Sequence, residues 1–162
     1  MKETIDIKTG EVRVLHQQGE LATTAVGSCI AVAAFDKTAR TGGMAHVMLP
    51  GRAPEGAADT LRYADNAMDE LVRGMEGLGS DKNDIQLCIA GGANVLERPD
   101  DTICELNIAA VTHAARRHGL MILARSLRGT SRRRVRFEVE SGSVYCALGD
   151  GPEKLLWRWR MK

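Results

Sequence analysis

The sequence predicts an α/β (α+β) fold in which two helices pack on a mixed sheet. Three observations predict it. Strand-length apolar runs recur at 30–35, 43–49 and 85–90. Two segments, 61–78 and 103–118, repeat apolar residues at three- and four-residue spacing. A final pair, 134–139 and 143–148, reads as a terminal hairpin. The 162 residues suit a single domain, 1–162, with 149–162 as a C-terminal tail.

Each element follows from its residues. Val12 and Val14 alternate with charged or polar neighbours over 11–15, as in an edge strand. Ser28 to Phe35 is apolar nearly throughout, which suits a strand buried on both faces. Asp36 to Gly42 carries turn chemistry, and the apolar run from Gly43 to Leu49 is stopped by Pro50 and Gly51. The first helix presents Leu61, Ala64, Met68, Leu71, Val72, Met75 and Leu78, with Asp59 or Thr60 as N-cap and Gly77 and Gly79 at its end. Ile85 to Ala90 forms a short strand running into Gly91-Gly92-Ala93-Asn94, a tight turn. Asp100 or Asp101 caps a second helix with Ile103, Leu106, Ile108, Ala110, Val111, Ala114 and Ala115 on its apolar face. Leu120 to Ala124 is the next strand, and Glu140-Ser141-Gly142 turns the hairpin.

Composition narrows the function. A formal net charge of +1 gives no global field toward nucleic acid or an anionic membrane. The longest apolar run, Ile30 to Phe35, is far short of the ~20 residues that span a bilayer. The opening residues carry no signal-type apolar core, so a cytoplasmic location is expected. Four cysteines fit no zinc spacing and are expected as thiols, with no metal or cofactor; Cys88, Cys104 and Cys146 read as core packing. His16, His113 and His118 have no partner that the sequence identifies. The amphipathic tail carrying Trp157 and Trp159 suits either covering a core edge or binding a partner.

Cys29 and His46 carry the chemistry. A hairpin turn near Lys37-Thr38 makes paired numbers sum to about 75 and sets Cys29 opposite His46, where Cβ atoms lie about 4.5–5.5 Å apart, or about 7–8 Å if diagonal. A one-residue slip would put them on opposite faces. The thiolate is the nucleophile, and a nearby imidazolium stabilises it. Gly27-Ser28 supplies a turn whose N–H groups suit an oxyanion. Thr23 or Thr24 offers a hydroxyl to orient the histidine. Against this, strand cysteines are usually small core hydrophobes, and a histidine between Ala45 and Val47 is usually a hydrogen-bonded core residue.

Val26-Gly27-Ser28-Cys29-Ile30-Ala31-Val32 and Gly42-Gly43-Met44-Ala45-His46-Val47-Met48-Leu49-Pro50 closely resemble the chemoreceptor glutamine deamidases, the CheD family of bacterial chemotaxis. The resemblance continues through Tyr63 to Asp69, Gly91 to Leu96 and Asn107-Ile108, and covers about residues 10–148. It implies an α/β/β sandwich related to the catalytic domains of deamidating toxins. It further implies a cysteine hydrolase that converts receptor glutamines to glutamates, with Cys29 as nucleophile, His46 as base and Thr23 as third member. Gly27 and Ser28 would form the oxyanion loop, with Asn94 bonding to loop backbone or lying near the site. Methyl-accepting receptors are the implied substrate and a CheC-type phosphatase a further partner. The run Ser126 to Arg134 departs from the family pattern: an acidic residue and one glycine are missing and arginines are added. Arg128, Arg132, Arg133, Arg134 and Arg136 then read as a solvated hairpin edge or as a docking surface for an acidic receptor helix; nucleic acid is not expected. A non-catalytic chemotaxis binding module is the alternative to the enzyme.

Overall fold

A computed structural model describes residues 3–161. Its elements, in order, are β1 (Thr4–Asp6), β2 (Val12–His16), β3 (Glu20–Val26), β4 (Ile30–Asp36), β5 (Thr41–Val47), α1 (Ala64–Gly77), β6 (Gln86–Gly91), α2 (Ile103–Arg117), β7 (Met121–Leu127), β8 (Arg133–Glu138), β9 (Ser143–Leu148) and β10 (Lys154–Arg158). The strands make two five-stranded sheets, ordered β2-β5-β4-β6-β7 and β1-β3-β8-β9-β10. The helices pack on the first sheet, α1 against β2 and β5 and α2 against β4 and β7, and the second sheet covers its other face.

The apolar run in β4 follows from this layering. Ile30, Val32 and Ala34 point into a core shared with Met68, Leu71, Val111 and Ala114 of the helices. Ala31, Ala33 and Phe35 point the other way, into a core shared with Leu21, Val135 and Phe137 of the second sheet. A strand covered on both sides needs apolar residues at every position. Element pattern alone gave one sheet here; the chain has two, as the three-layer resemblance implied.

β1 and β3 were not anticipated. A register shift between Thr23 and Val26 leaves Thr24 and Ala25 exposed and breaks the alternation that would mark β3. The tail is likewise a strand, β10, followed by Trp159, which inserts between the sheets. Its ring centroid lies 5.2 Å from that of Phe35 and 5.9 Å from that of Phe137, and its Nε1 donates to Gln86 Oε1 at 3.1 Å. The reading of the tail as a core cover is the one Trp159 satisfies.

The helices differ from expectation at their starts. A 3-10 turn, Thr60–Arg62, precedes α1, and neither Asp59 nor Tyr63, the caps of these two helices, makes a side-chain capping bond. At α2, Asp101 Oδ1 accepts from Ile103 N at 3.2 Å, so Asp101 caps although Thr102 occupies the formal position. Leu106, assigned to the apolar face, is 50% exposed, while Asn107 is wholly buried. The arginine cluster is largely spent on internal bonds. Arg128 pairs with Glu105, Arg132 with Asp150, and Arg136 with Glu20, Glu138 and Glu153; Arg134 donates to Gly149 O and Gly151 O. Arg133 is buried and donates to Ser126 Oγ and to the carbonyl of Arg128. No helix among the described residues is long and apolar enough to cross a membrane.

Candidate active site

The chain changes sheets between β3 and β4, and Cys29 is the last residue of that three-residue crossing. The crossing is held by its carbonyls. Ala93 N donates to Gly27 O at 2.9 Å, Asn107 Nδ2 to Ser28 O at 3.0 Å, and Gly92 N to Cys29 O at 2.9 Å. Among the described residues the N–H groups of Gly27, Ser28 and Cys29 make no backbone bond outside the strand ladders, and N–H groups at such a crossing suit a developing negative charge. Gly91 makes the approach possible: its φ is +130°, and a Cβ there would collide with the Cys29 carbonyl oxygen.

The ladder between β4 and β5 pairs Ala31 with His46 and Ile30 with Val47, so paired numbers sum to 77. The expected register was two residues off. Because side chains alternate with period two, the shift keeps both residues on one face: Cys29, two positions before Ala31, lies diagonal to His46 rather than opposite it. That face is the interior between the sheets, where Cys29 is half-buried and packs beside the core of Phe35 and Met44.

His46 is 2% exposed and is held from the second sheet. Its Nδ1 lies 2.9 Å from Thr23 Oγ1 and 3.5 Å from the carbonyl oxygen of Ile7. A carbonyl can only accept, so Nδ1 bonds to Ile7 O only in the tautomer that carries the proton there and leaves the lone pair on Nε2. Nε2 is buried and has no hydrogen-bond partner among the described residues. Of the two threonines, Thr23 is the one that reaches the ring; Thr24 points to solvent.

Burial acts on thiol and imidazole in opposite senses. It pushes the Cys29 thiol above its ordinary 9.0, against a smaller pull from its own backbone N–H. It pushes His46 below 6.5, against smaller contributions from the Ile7 carbonyl and the Asp6 carboxylate. The resting pair is therefore a neutral thiol and a neutral imidazole, not the thiolate–imidazolium pair the sequence suggested.

Two cavities flank the site. One, about 240 Å³, opens beside Gly27 and Ser28 and is walled by Ala93, Asn94, Val95 and Cys104. The other, about 160 Å³, meets the Nδ1 side of His46 and is lined by Asp6, Lys8, Thr9 and Thr24. Asn94 walls the first cavity, and it closes its own loop by donating Nδ2 to Arg98 O at 2.8 Å and accepting from Arg98 N at 3.1 Å. Ile7 escaped the sequence reading, and Asn107 entered it only as part of the Asn107-Ile108 resemblance, with no place at the site. Asn107 left a signal, since it shares a helical face with Cys104, Ile108 and Val111, where an amide is out of place.

A family model described as CheD chemotactic sensory transduction matches residues 48–147. Curated relatives extend the likeness over the site. A probable chemoreceptor glutamine deamidase CheD of Chlorobium luteolum is 38% identical over 92% of this chain and 75% of its own length. The chemoreceptor glutamine deamidase CheD of Thermotoga maritima is 35% identical over 96% of this chain and 97% of its own. A probable one of Archaeoglobus fulgidus is 33% identical over 97% and 99%.

Proposed function

Because the chain belongs to the CheD family, we propose that it is a protein-glutamine deamidase of chemotaxis that converts glutamines of methyl-accepting chemoreceptors to glutamates. The observation that supports this most directly is the buried Thr23–His46 contact, on the same inter-sheet face as Cys29. The reading places the enzyme in the cytoplasm, beside the receptors' cytoplasmic helices, with a CheC-type phosphatase as a further partner.

In the proposed mechanism, His46 Nε2 takes the Cys29 proton as Sγ attacks the glutamine side-chain carbonyl carbon. The tetrahedral oxyanion is met by backbone N–H groups of the 27–29 crossing. The imidazolium then gives its proton to the leaving nitrogen, the C–N bond breaks, and ammonia departs to leave a thioester on Cys29. Water attacks the thioester carbon while Nε2 takes its proton. Collapse breaks the C–S bond, returns the proton to sulfur and releases glutamate. Thr23 and Ile7 keep Nδ1 protonated throughout, so Nε2 remains the exchanging atom.

The test is Cys29→Ala against cytoplasmic fragments of the chemoreceptors, followed by ammonia release and by mass spectrometry of the glutamine sites. Loss of both signals in a folded variant is expected, and retained turnover would sink the reading. Partner binding without ammonia release by the unmodified protein would favour the binding module instead.

A further inference from the structure

We infer that Asn107 is a positioning residue that sets the distance between Cys29 and His46. The ladder joining β4 to β5 has Ile30–Val47 as its last pair. Beyond it the two chains part: Met48 N turns away to the carbonyl of Arg62, and Cys29 O turns to Gly92 N. The thiol therefore sits past the last rung connecting its strand to the strand of its base. Asn107 supplies the missing rung from α2. Its Nδ2 donates at 3.0 Å to Ser28 O, the residue before the nucleophile, and at 3.0 Å to Met48 O, two residues after the base. Both amide hydrogens are used, and each holds one side of the pair.

The rest of the side chain argues that this contact is retained for function. Asn107 is 0% exposed on a helix face otherwise made of Cys104, Ile108, Val111 and Ala114. Its Oδ1 is buried with no hydrogen-bond partner among the described residues. An unpaired buried acceptor destabilises a fold, so the residue is poorly chosen for stability alone. Among the described residues the crossing's other backbone bonds outside the strand ladders tie it toward the end of β6, through Gly92 and Ala93. Those bonds fix the loop but leave its distance from β5 unset. α2 also carries Cys104 one turn earlier on the wall of the cavity beside Gly27 and Ser28, so one helix frames the cavity and spaces the pair.

This inference rests on the cysteine-hydrolase reading above, and the probe is chosen to separate the two. p-Nitrophenyl acetate reports acylation of Cys29 as a burst of nitrophenolate without any glutamine substrate. Asn107→Ala and the isosteric Asn107→Asp should slow the burst about 10²-fold, the loss expected when reacting groups are misplaced by about 1 Å. The pH profile carries the sharper readout. In the unmodified protein the burst rate should follow deprotonation of His46, with its inflection below 6.5. In Asn107→Ala it should follow the thiol alone and keep rising above 9.0. Both variants are checked for fold by circular dichroism, and Asn107→Asp preserves side-chain volume should the alanine form fail. A folded variant with the unmodified rate and pH profile overturns the inference, as does a loss explained wholly by the unfolded fraction. A Cys29-dependent burst without deamidation of receptor fragments sinks the deamidase reading while the spacer role is judged on the burst alone. Absence of any Cys29-dependent burst in the unmodified protein overturns both.

Discussion

Replacing Thr23 with valine keeps a β-branched side chain of the same shape and deletes only the hydroxyl 2.9 Å from His46 Nδ1. Thr23 is 2% exposed and lines the cavity on the Nδ1 side of His46. The Ile7 carbonyl, 3.5 Å away, remains on Nδ1 among the described residues and still favours its protonation. The tautomer is thus kept and the ring's orientation is loosened. Loss of a buried neutral hydrogen bond costs about 1 kcal/mol of stability, and about 1.4 kcal/mol of barrier is tenfold in rate. We therefore expect kcat to fall about 10- to 100-fold, well short of the ~10⁴ seen when a triad loses its tautomer. KM should change little, and Tm should drop by about 2–4 °C. Thr23→Ser restores the hydroxyl and should recover most of kcat. The assay is ammonia release from receptor fragments, with thermal melts alongside. A Thr23→Val enzyme with unmodified kcat, or a Thr23→Ser enzyme as slow as the valine form, would refute the orienting role.

Four further outcomes follow from other contacts. The acid limb of kcat/KM should inflect below 6.5, because burial lowers His46 and the imidazole must be neutral to accept the thiol proton. Alkylation of Cys29 by iodoacetamide should be half-maximal only above 9.0, because burial raises the thiol; a midpoint well below 9.0 would contradict the neutral pair. Gly91→Ala drives a Cβ into the Cys29 carbonyl at a φ of +130°, and strain with overpacking should cost about 3 kcal/mol, read as a Tm drop of about 6–12 °C with loss of turnover. Finally, burial alone would raise the Asp69 carboxyl, but hydrogen bonds from Arg117, His118 and Arg52 outweigh it and hold it at about 2. A carboxylate lowered from 3.8 stabilises the fold above pH 3.8, and that stability is lost as pH falls through about 2. Asp69 is 39% exposed, so the full linkage value is discounted to about 1 kcal/mol. Asp69→Asn should lower Tm by about 2–4 °C at pH 7 and leave it unchanged near pH 2; equal losses at both would contradict the ion-pair account.

Sequence periodicity found the elements whose environment is uniform. β4 reads clearly because both faces are covered, and α1 because its buried positions repeat with helical spacing. It failed where tertiary context breaks the period. The bulge in β3 hides a strand, and Asn107 takes a core position that Leu106 was expected to fill. The shared face of Cys29 and His46 was legible from spacing because a two-residue error in register preserves it. Ile7 was not, since its contribution is a backbone carbonyl and no side-chain pattern marks it. The state of the thiol was also out of reach, because it depends on burial that only the assembled layers create.

The residues of the proposed site are divided between layers. His46 belongs to the sheet that touches the helices and Cys29 to the crossing that leads into it, whereas Thr23 and Ile7 come from the side of the sheet that closes over it. The strand of Thr23 pairs with β8, which begins at Arg133, so most of the closing sheet is made from the last part of the chain. A ribosome that has synthesised everything through β7 has released a thiol and an imidazole, yet β3 still lacks its neighbour β8. In the order of synthesis, β3 thus meets its neighbour β8 only after every residue of the proposed site has been made.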